Sequence, residues 1–299
     1  MNRVVRHAID CGCDPLIALQ MATINTACHF GMERELGSIT PGRRADFIVT
    51  SSIDDLPIDA VFARGECVAE NGKLLAKCPH YEWPQAVRKT VNLGKKLEHR
   101  DFVISAPAGI SSVKAKVIGV IENQAPTKAL EFDLPVEQGK VRVEGDVCYL
   151  SLVERHRGTG AVVNGFVSGF GYTGSMAIAS SVAHDSHHMI VVGTNQEMMA
   201  SAANRLGEIG GGVSVWKDGS EVALVELPIA GLMSDSKASE VAVKAQAIVT
   251  AMIDCGCTLN NAYMQHTLLA LVVIPELRIS DLGLVDVNRF ELTEIIKNS

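Results

Sequence analysis

The segment richest in side chains that could do chemistry is SSVAHDSHHMIVVG, at residues 180–193. It holds three of the chain's nine histidines and an aspartate, at positions His184, Asp185, His187 and His188. Imidazole and carboxylate groups bind divalent metals, and they also transfer protons near neutral pH. Three interpretations are open: a metal site within this part of the chain, a polar turn that pairs buried backbone groups, and a wall of a catalytic pocket. The density of titratable groups between small residues favours the third.

A second group of candidate residues follows directly after an apolar run that we predict to be a strand. Glu154, Arg155, His156 and Arg157 stand at its end, in the segment VERHRGTG, where side chains of a site can project. Two interpretations are open for this group. The residues line a functional pocket, or Glu154 and Arg155 form a surface ion pair of little energetic value.

Other polar and glycine-rich features have simpler explanations. Two Asp-Cys-Gly-Cys segments, at 10–13 and 254–257, are weak zinc candidates, because zinc sites usually have two residues between paired cysteines. A helix that ends at a glycine accounts for each of them. We interpret His266, in an apolar helix, as a core histidine, and Asp235 and Asp281 as caps of turns.

Length and composition limit the classes of partner. The chain has 299 residues, 47% of them hydrophobic, and a net charge of −7, so we expect a sizeable core and no nucleic-acid partner. Its longest apolar run, residues 267–274, is too short to span a bilayer, so we expect no membrane partner. Eight scattered cysteines predict reduced thiols and a cytoplasmic protein. A chain this apolar is expected to form a homo-oligomer.

Local signals divide the chain into three segments and predict an α+β fold. Residues 1–80 contain helices, one capped by Asp14, followed by strands with a turn at Pro41-Gly42. The more polar segment 81–112 is interpreted as a linker or an interdomain crossing. Residues 113–299 contain strands, two of which flank the histidine-rich run, a helix capped by Asn195, and two later helices.

Several longer motifs resemble known families. The segment MATINTACHFGMERELGSITPGRRADFIV resembles the end of amidohydrolase-superfamily enzymes, in which the last barrel helix leads into a small β-sandwich. The segments VERHRGTG, GFGYTGSMAIASSVAHDSHHMIVVGTN, LPIAGLMSD and VIPELRISDLGLVDV resemble the C-terminal domain of bacterial adenine deaminases. The resemblance covers about residues 2–290. It departs from the family pattern at His188, where an asparagine is expected, so a role that needs an amide there is not carried over.

The resemblance implies a domain assignment and a reaction. Residues 1–80 would be the last barrel helices and β-sandwich strands of an amidohydrolase, 81–112 the linker, and 113–299 the adenine deaminase C-terminal domain. The family hydrolyses adenine to hypoxanthine and ammonia in purine salvage, with Mn²⁺ or Fe²⁺ lowering the pKa of a bound water.

The family's metal ligands include a His-x-His pair that this sequence lacks. We therefore expect a C-terminal portion that is inactive alone and needs an N-terminal barrel half as partner, with adenine as substrate of the whole enzyme. Its own pocket candidates are the two groups of residues above. The alternatives are a non-catalytic purine-binding or assembly module and an inactive remnant.

Overall fold

The computed structural model describes residues 1–79 and 81–297. The chain divides into two compact units, Met1–Glu82 and Trp83–Ser299. Within the described ranges, no helix combines the length and the apolar character that crossing a bilayer requires.

The smaller unit contains three short helices and one small antiparallel sheet. The helices are α1 (Asn2–Asp10), α2 (Pro15–Ala22) and α3 (Ile24–His29), and the strands, in sheet order, are β1 (Phe47–Val49), β2 (Ala60–Ala63), β3 (Glu66–Glu70) and β4 (Lys73–Leu74). The predicted cap is confirmed: an Asp14 carboxylate oxygen accepts from the backbone N–H groups of Leu16 and Ile17 at 2.9 and 3.1 Å. A strand was also predicted before the turn at Pro41-Gly42, but residues 36–38 form bends and residues 39–40 have no regular secondary structure.

The larger unit is built on a nine-stranded sheet with the order β13-β12-β10-β11-β8-β9-β5-β6-β7, in which the β5–β9 pair is parallel. Its strands are β5 (Ser112–Val120), β6 (Thr127–Glu137), β7 (Lys140–Val141), β8 (Cys148–Val153), β9 (Val162–Ser168), β10 (Met176–Ser180), β11 (Met189–Gly193), β12 (Gly212–Lys217) and β13 (Ser220–Glu226). A separate three-stranded sheet contains β14 (Leu277–Ser280), β15 (Gly283–Asp286) and β16 (Glu291–Thr293). The helices are α4 (Gln196–Ile209), α5 (Ala238–Asp254) and α6 (Ala262–Leu268).

An apolar layer covers each face of the nine-stranded sheet. Strand β8 shows the alternation: Leu150 and Leu152 belong to the cluster that includes residues of α5 and β14, whereas Tyr149 and Val153 belong to the cluster that includes α4. Side chains of successive residues in a strand point to opposite faces, so a strand buried on both faces reads as a continuous apolar run. This alternation also orients the residues just beyond the strand ends.

The segment 81–112 differs from the linker that its composition predicts. It enters the core of the larger unit through a few spaced apolar side chains, Val91, Leu93, Leu97 and Phe102. Leu97 is also held to α4, because its backbone N–H and C=O each bond to the Asn204 side chain at 2.9 Å. The polar residues between these anchors give the segment its linker-like average composition.

Most predictions for the larger unit hold. Strands β10 and β11 flank the histidine-rich run and pair with each other, and α4 begins after the Asn195 cap and ends at Gly210 in the left-handed conformation. The mixed architecture agrees with the α+β prediction. Strands β6 and β9 were missed. In β6 the cause is a charged sequence, TKALEFDLPVE, with many exposed side chains.

Candidate functional site

A cleft of about 360 Å³ lies where the ends of three elements of the larger unit meet. These are the β8–β9 loop, the start of β11 and the β14–β15 turn. Leu152, Ala161 and Val163 form apolar parts of its wall. Its polar lining residues are Glu154, His156, Arg157, Thr159, His188 and Asp281. Only some of the sequence-predicted candidates are therefore among the residues that line this cleft.

The strand alternation separates the candidates into two environments. Glu154 and His188 lie on the cleft side of the sheet, whereas Arg155 bonds to the backbone carbonyl of His187 on the other side. The surface ion pair suggested for Glu154 and Arg155 is therefore wrong. Arg155 is 1% exposed, and the two side chains have different partners.

Glu154 organises the β8–β9 loop. Its carboxylate accepts four hydrogen bonds, from the backbone N–H groups of His156 (2.5 Å), Arg157 (2.8 Å) and Thr159 (3.0 Å) and from the Thr159 hydroxyl (3.0 Å). Burial acts to raise the carboxyl pKa, but these donors outweigh burial and lower the pKa from 4.5 to about 2. Glu154 is therefore ionised at neutral pH and cannot serve there as a proton donor.

Glu154→Gln is expected to lower the free energy of unfolding by about 2–3 kcal/mol at pH 7, because an amide nitrogen would face backbone N–H donors. The native pKa is depressed, so the carboxylate contributes stability above pH 4.5, and this contribution is lost as pH falls toward 2. Urea unfolding at pH 7 and pH 3 measures both effects. The exposed Glu144→Gln is the control, and equal stability of the two variants at pH 7 would contradict the expected role of Glu154.

Arg155 is a buried cation whose partners are all backbone carbonyls. Its guanidinium donates to the carbonyls of His187, Ser181 (3.4 Å) and Ala230 (3.3 Å). Burial lowers its pKa. Arg155 does not line the cleft. Its hydrogen bonds instead hold the histidine-rich loop, which connects β10 to β11.

Three other candidates are not among the residues that line the cleft. His184 is tied to the end of α6: its backbone N–H donates to the Thr267 carbonyl at 3.0 Å, and its Nδ1 lies 3.4 Å from the same oxygen. Asp185 is exposed, and His187 has a buried Nδ1 with no hydrogen-bond partner. The clustered histidines therefore diverge, and their spacing in sequence does not become a common site.

The donor atoms present do not fit a metal ion. Among residues 1–79 and 81–297, no three His, Cys, Asp or Glu residues are grouped so that they could hold one. Near the cleft, both Glu154 oxygens already accept hydrogen bonds. We therefore derive no chemical step through a metal bound by these residues.

The cleft brings together two histidines and an aspartate from distant parts of the chain. The rings of His156 and His188 lie 4.7 Å apart between centroids, and His188 Nε2 lies 3.6 Å from an Asp281 carboxylate oxygen. His156 Nε2 contacts the Ser186 carbonyl at 2.9 Å. Burial is the main reason that the pKa of His188 is lowered, so this imidazole is neutral at pH 7.

Asp281 is the site residue that the sequence interpretation missed. It occupies the two-residue turn between β14 and β15, as expected, but its carboxylate faces His188 instead of capping that turn. Thr159 was missed as well. The signal available in the sequence was a polar pair, Ser280-Asp281, between two apolar strand segments.

The core interpretation of His266 is confirmed. It is 1% exposed, and its Nε2 lies 2.9 Å from the Tyr172 hydroxyl. Both Asp-Cys-Gly-Cys segments also end helices as interpreted, with Gly12 and Gly256 at positive φ and every cysteine free.

Comparison with known proteins identifies the family. The model of the adenine deaminase C-terminal domain matches residues 124–291, which is more than half of the chain, and the amidohydrolase family model matches residues 1–68. The chain belongs to the adenine deaminase C-terminal domain family. The cleft and its polar residues lie mainly within the matched adenine deaminase C-terminal domain.

Similar proteins carry the name adenine deaminase. A protein of Ruegeria pomeroyi with this name is 70% identical over 300 residues, and one of Roseobacter denitrificans is 69% identical over 298 residues. A more distant one, from Moorella thermoacetica, is 43% identical over 298 residues. The alignments cover 99%, 100% and 99% of this chain, but only 50% of each relative. The chain thus spans about half the length of the curated relatives that it matches.

Proposed function

We propose that the chain is the C-terminal portion of an adenine deaminase and takes part in the hydrolytic deamination of adenine to hypoxanthine and ammonia. The observation that carries this proposal is the 70% identity to a protein named adenine deaminase across 99% of the chain. Identity at this level over nearly the whole chain supports a shared fold and a shared activity of the whole protein. The amidohydrolase match at residues 1–68 supports a hydrolase.

The catalytic metal of this activity would be Mn²⁺ or Fe²⁺, as in the resemblance above. The donor atoms in the described part of this chain do not fit a metal ion. The ligands of the catalytic metal would therefore come from a barrel that corresponds to the half of the relatives that this chain does not match. Residues 1–80 would supply the last barrel helices and β-sandwich strands, and residues 113–299 the C-terminal domain. The histidine-rich loop and the β8–β9 loop would form a wall of the deaminase pocket.

Exposed apolar side chains of the smaller unit support a partner surface. Leu16, Ile17, Phe30 and Ile39 are each more than half exposed, which is unfavourable for an isolated unit. They would be covered by the barrel half or by a second copy in a homo-oligomer. The eight free cysteines support a reducing compartment, and we propose the cytoplasm.

The test is ammonia release from adenine in the presence of Mn²⁺. The 299-residue chain alone is expected to release none. A chimera in which this chain replaces the matched half of the Ruegeria pomeroyi relative is expected to release ammonia at a rate within about tenfold of that relative, because the two sequences are 70% identical over the replaced half. The unmodified relative is the control.

Two outcomes would overturn parts of the proposal. Ammonia release by the chain alone, in proportion to protein, would mean that it holds a complete active site. A folded but inactive chimera beside an active relative would favour the alternatives, a purine-binding or assembly module or an inactive remnant.

A further inference from the structure

The outward face of helix α5 is apolar, although it lies on the surface of the larger unit. The inward face of this helix packs on β12 and β13 through side chains such as Ile248 and Ala251, which are 3% and 6% exposed. On the opposite side, Val243, Val249 and Ile253 are 72%, 41% and 58% exposed. A helix that is apolar on all sides is normally buried on all sides, so this face requires a covering partner.

The exposed face contains a continuous line of residues that carries no charge. We call it the α5 seam, and its members are Ser239, Ala242, Gln246, Val249 and Ile253, all exposed. They follow one another at steps of three and four residues, which places them on one side of the helix. The charged residues of α5 lie off the seam: these are Glu240, Asp254 and Lys244, which pairs with Glu226 at 2.6 Å. A charged partner surface would therefore find no opposite charge along the seam.

The α5 seam is complementary to a second copy of itself in the antiparallel direction. Its N-terminal half has the small side chains of Ser239 and Ala242, and its C-terminal half has the larger Val249 and Ile253. Antiparallel pairing about a twofold axis near Gln246 places large side chains against small ones and so fills the contact evenly. Parallel pairing would place large against large and leave a gap between the small residues. At the twofold axis, the two Gln246 amides can bond to each other.

The surroundings of the seam agree with the same arrangement. A shallow groove of about 40 Å³ lies beside the C-terminal half of α5, where Leu259 and Tyr263 line it together with seam residues. The antiparallel direction lays the small N-terminal half of the second helix over this groove. At each end of the pair, Lys237 and Glu240 of one copy come near Asp254 of the other. One lysine and two carboxylates then lie at a solvent-exposed rim, which is where interfaces keep their charges.

We propose that the α5 seam is the contact between two copies of this chain, packed antiparallel about a twofold axis near Gln246. Helix α5 has 17 residues. It is therefore about 25 Å long, and a helix pair of this length about 8–10 Å apart buries about 400 Å² of each copy. This area is at the low end for specific interfaces, so we expect a dissociation constant of about 10–100 µM. The inference is independent of the proposed reaction, because it uses no residue of the cleft.

The first test is sedimentation velocity of the 299-residue chain from about 1 to 300 µM, which brackets the expected dissociation constant. Val249→Lys is expected to raise that constant by at least about 100-fold, because the twofold axis brings two unpaired ammonium groups into one apolar contact. Val273→Lys is the matched control, since Val273 is 66% exposed and lies after α6, away from the seam. It is expected to leave the constant unchanged. Association through the smaller unit would respond to neither substitution.

The second test is oxidative cross-linking of Gln246→Cys. A disulfide needs Cα atoms about 4.4–6.8 Å apart, so only a residue near the twofold axis can bond to its own copy. Because the chain already has exposed thiols at Cys11, Cys28 and Cys78, peptide mapping must count only the disulfide that joins the two introduced thiols. We expect this disulfide to be at least about tenfold more abundant than in the control Glu197→Cys, whose position is exposed on α4.

Three results would overturn the proposal. They are a chain that stays monomeric at about 300 µM, a Val249→Lys variant that dimerises like the unchanged chain, and equal cross-linking of Gln246→Cys and its control. In each case the seam is covered by another partner, such as the half of the relatives that this chain does not match. Ammonia release by the chimera is a separate result, so either proposal can fail while the other stands.

Discussion

Arg155→Met is expected to lower the free energy of unfolding by about 3–5 kcal/mol and to loosen the histidine-rich loop. The guanidinium joins three separate backbone segments through the carbonyls of His187, Ser181 and Ala230. Methionine fills much of the same volume but donates no hydrogen bond, so buried carbonyls lose their partners. Urea unfolding of the larger unit measures the loss.

Arg100→Met serves as the control for the arginine prediction. Arg100 is exposed and pairs with Glu98 at the surface, so its replacement should change the unfolding free energy by less than about 1 kcal/mol. Amide hydrogen exchange supplies a second readout. Faster exchange at residues 187–189 is expected in Arg155→Met and not in the control. A loss below 1 kcal/mol in Arg155→Met would show that the carbonyls find other partners.

The unfolding free energy is expected to fall by about 1.4 kcal/mol per pH unit between pH 6.5 and 4.5 because of His266 alone. Burial lowers its pKa from 6.5 to about 3 in the folded protein, so the fold keeps this ring neutral. Above pH 6.5 the neutral form of His266 is favoured in both the folded and the unfolded protein, and its contribution to the unfolding free energy is fully present. It is lost as pH falls from 6.5 toward 3, because the unfolded chain then takes up a proton that the folded chain excludes.

His266→Gln isolates this effect. Glutamine can still bond to the Tyr172 hydroxyl but does not titrate, so the slope between pH 6.5 and 4.5 should decrease by about 1.4 kcal/mol per unit. His187 and His188, whose pKa values are also lowered, contribute equally in both proteins. Glu154 acts only below pH 4.5. The exposed His99→Gln should leave the slope unchanged, and an unchanged slope in His266→Gln would refute the prediction.

Local signals predicted much of the secondary structure because their physics is local. The Asp14 and Asn195 caps and the glycine helix ends depend on residues within a few positions of each other. The linker interpretation of residues 81–112 did not anticipate their core contacts, because these contacts are made with elements that are distant in sequence, such as α4. Strand β6 was missed because its own sequence is charged. Pairing with β5 holds this segment in the sheet, and the composition of β6 alone does not reveal that pairing.

The sequence by itself determined the family, because family motifs survive as contiguous segments. It also named Glu154 and His188 as candidates, but it did not name Asp281 or Thr159. Only the tertiary structure decided which of these residues meet. Pairing of β8 with β11 puts Glu154 beside His188, and alternation across the sheet sends Arg155 and His187 to the other side. The β14–β15 turn brings Asp281 to the same cleft. Such contacts depend on strand order and register, which no local pattern encodes.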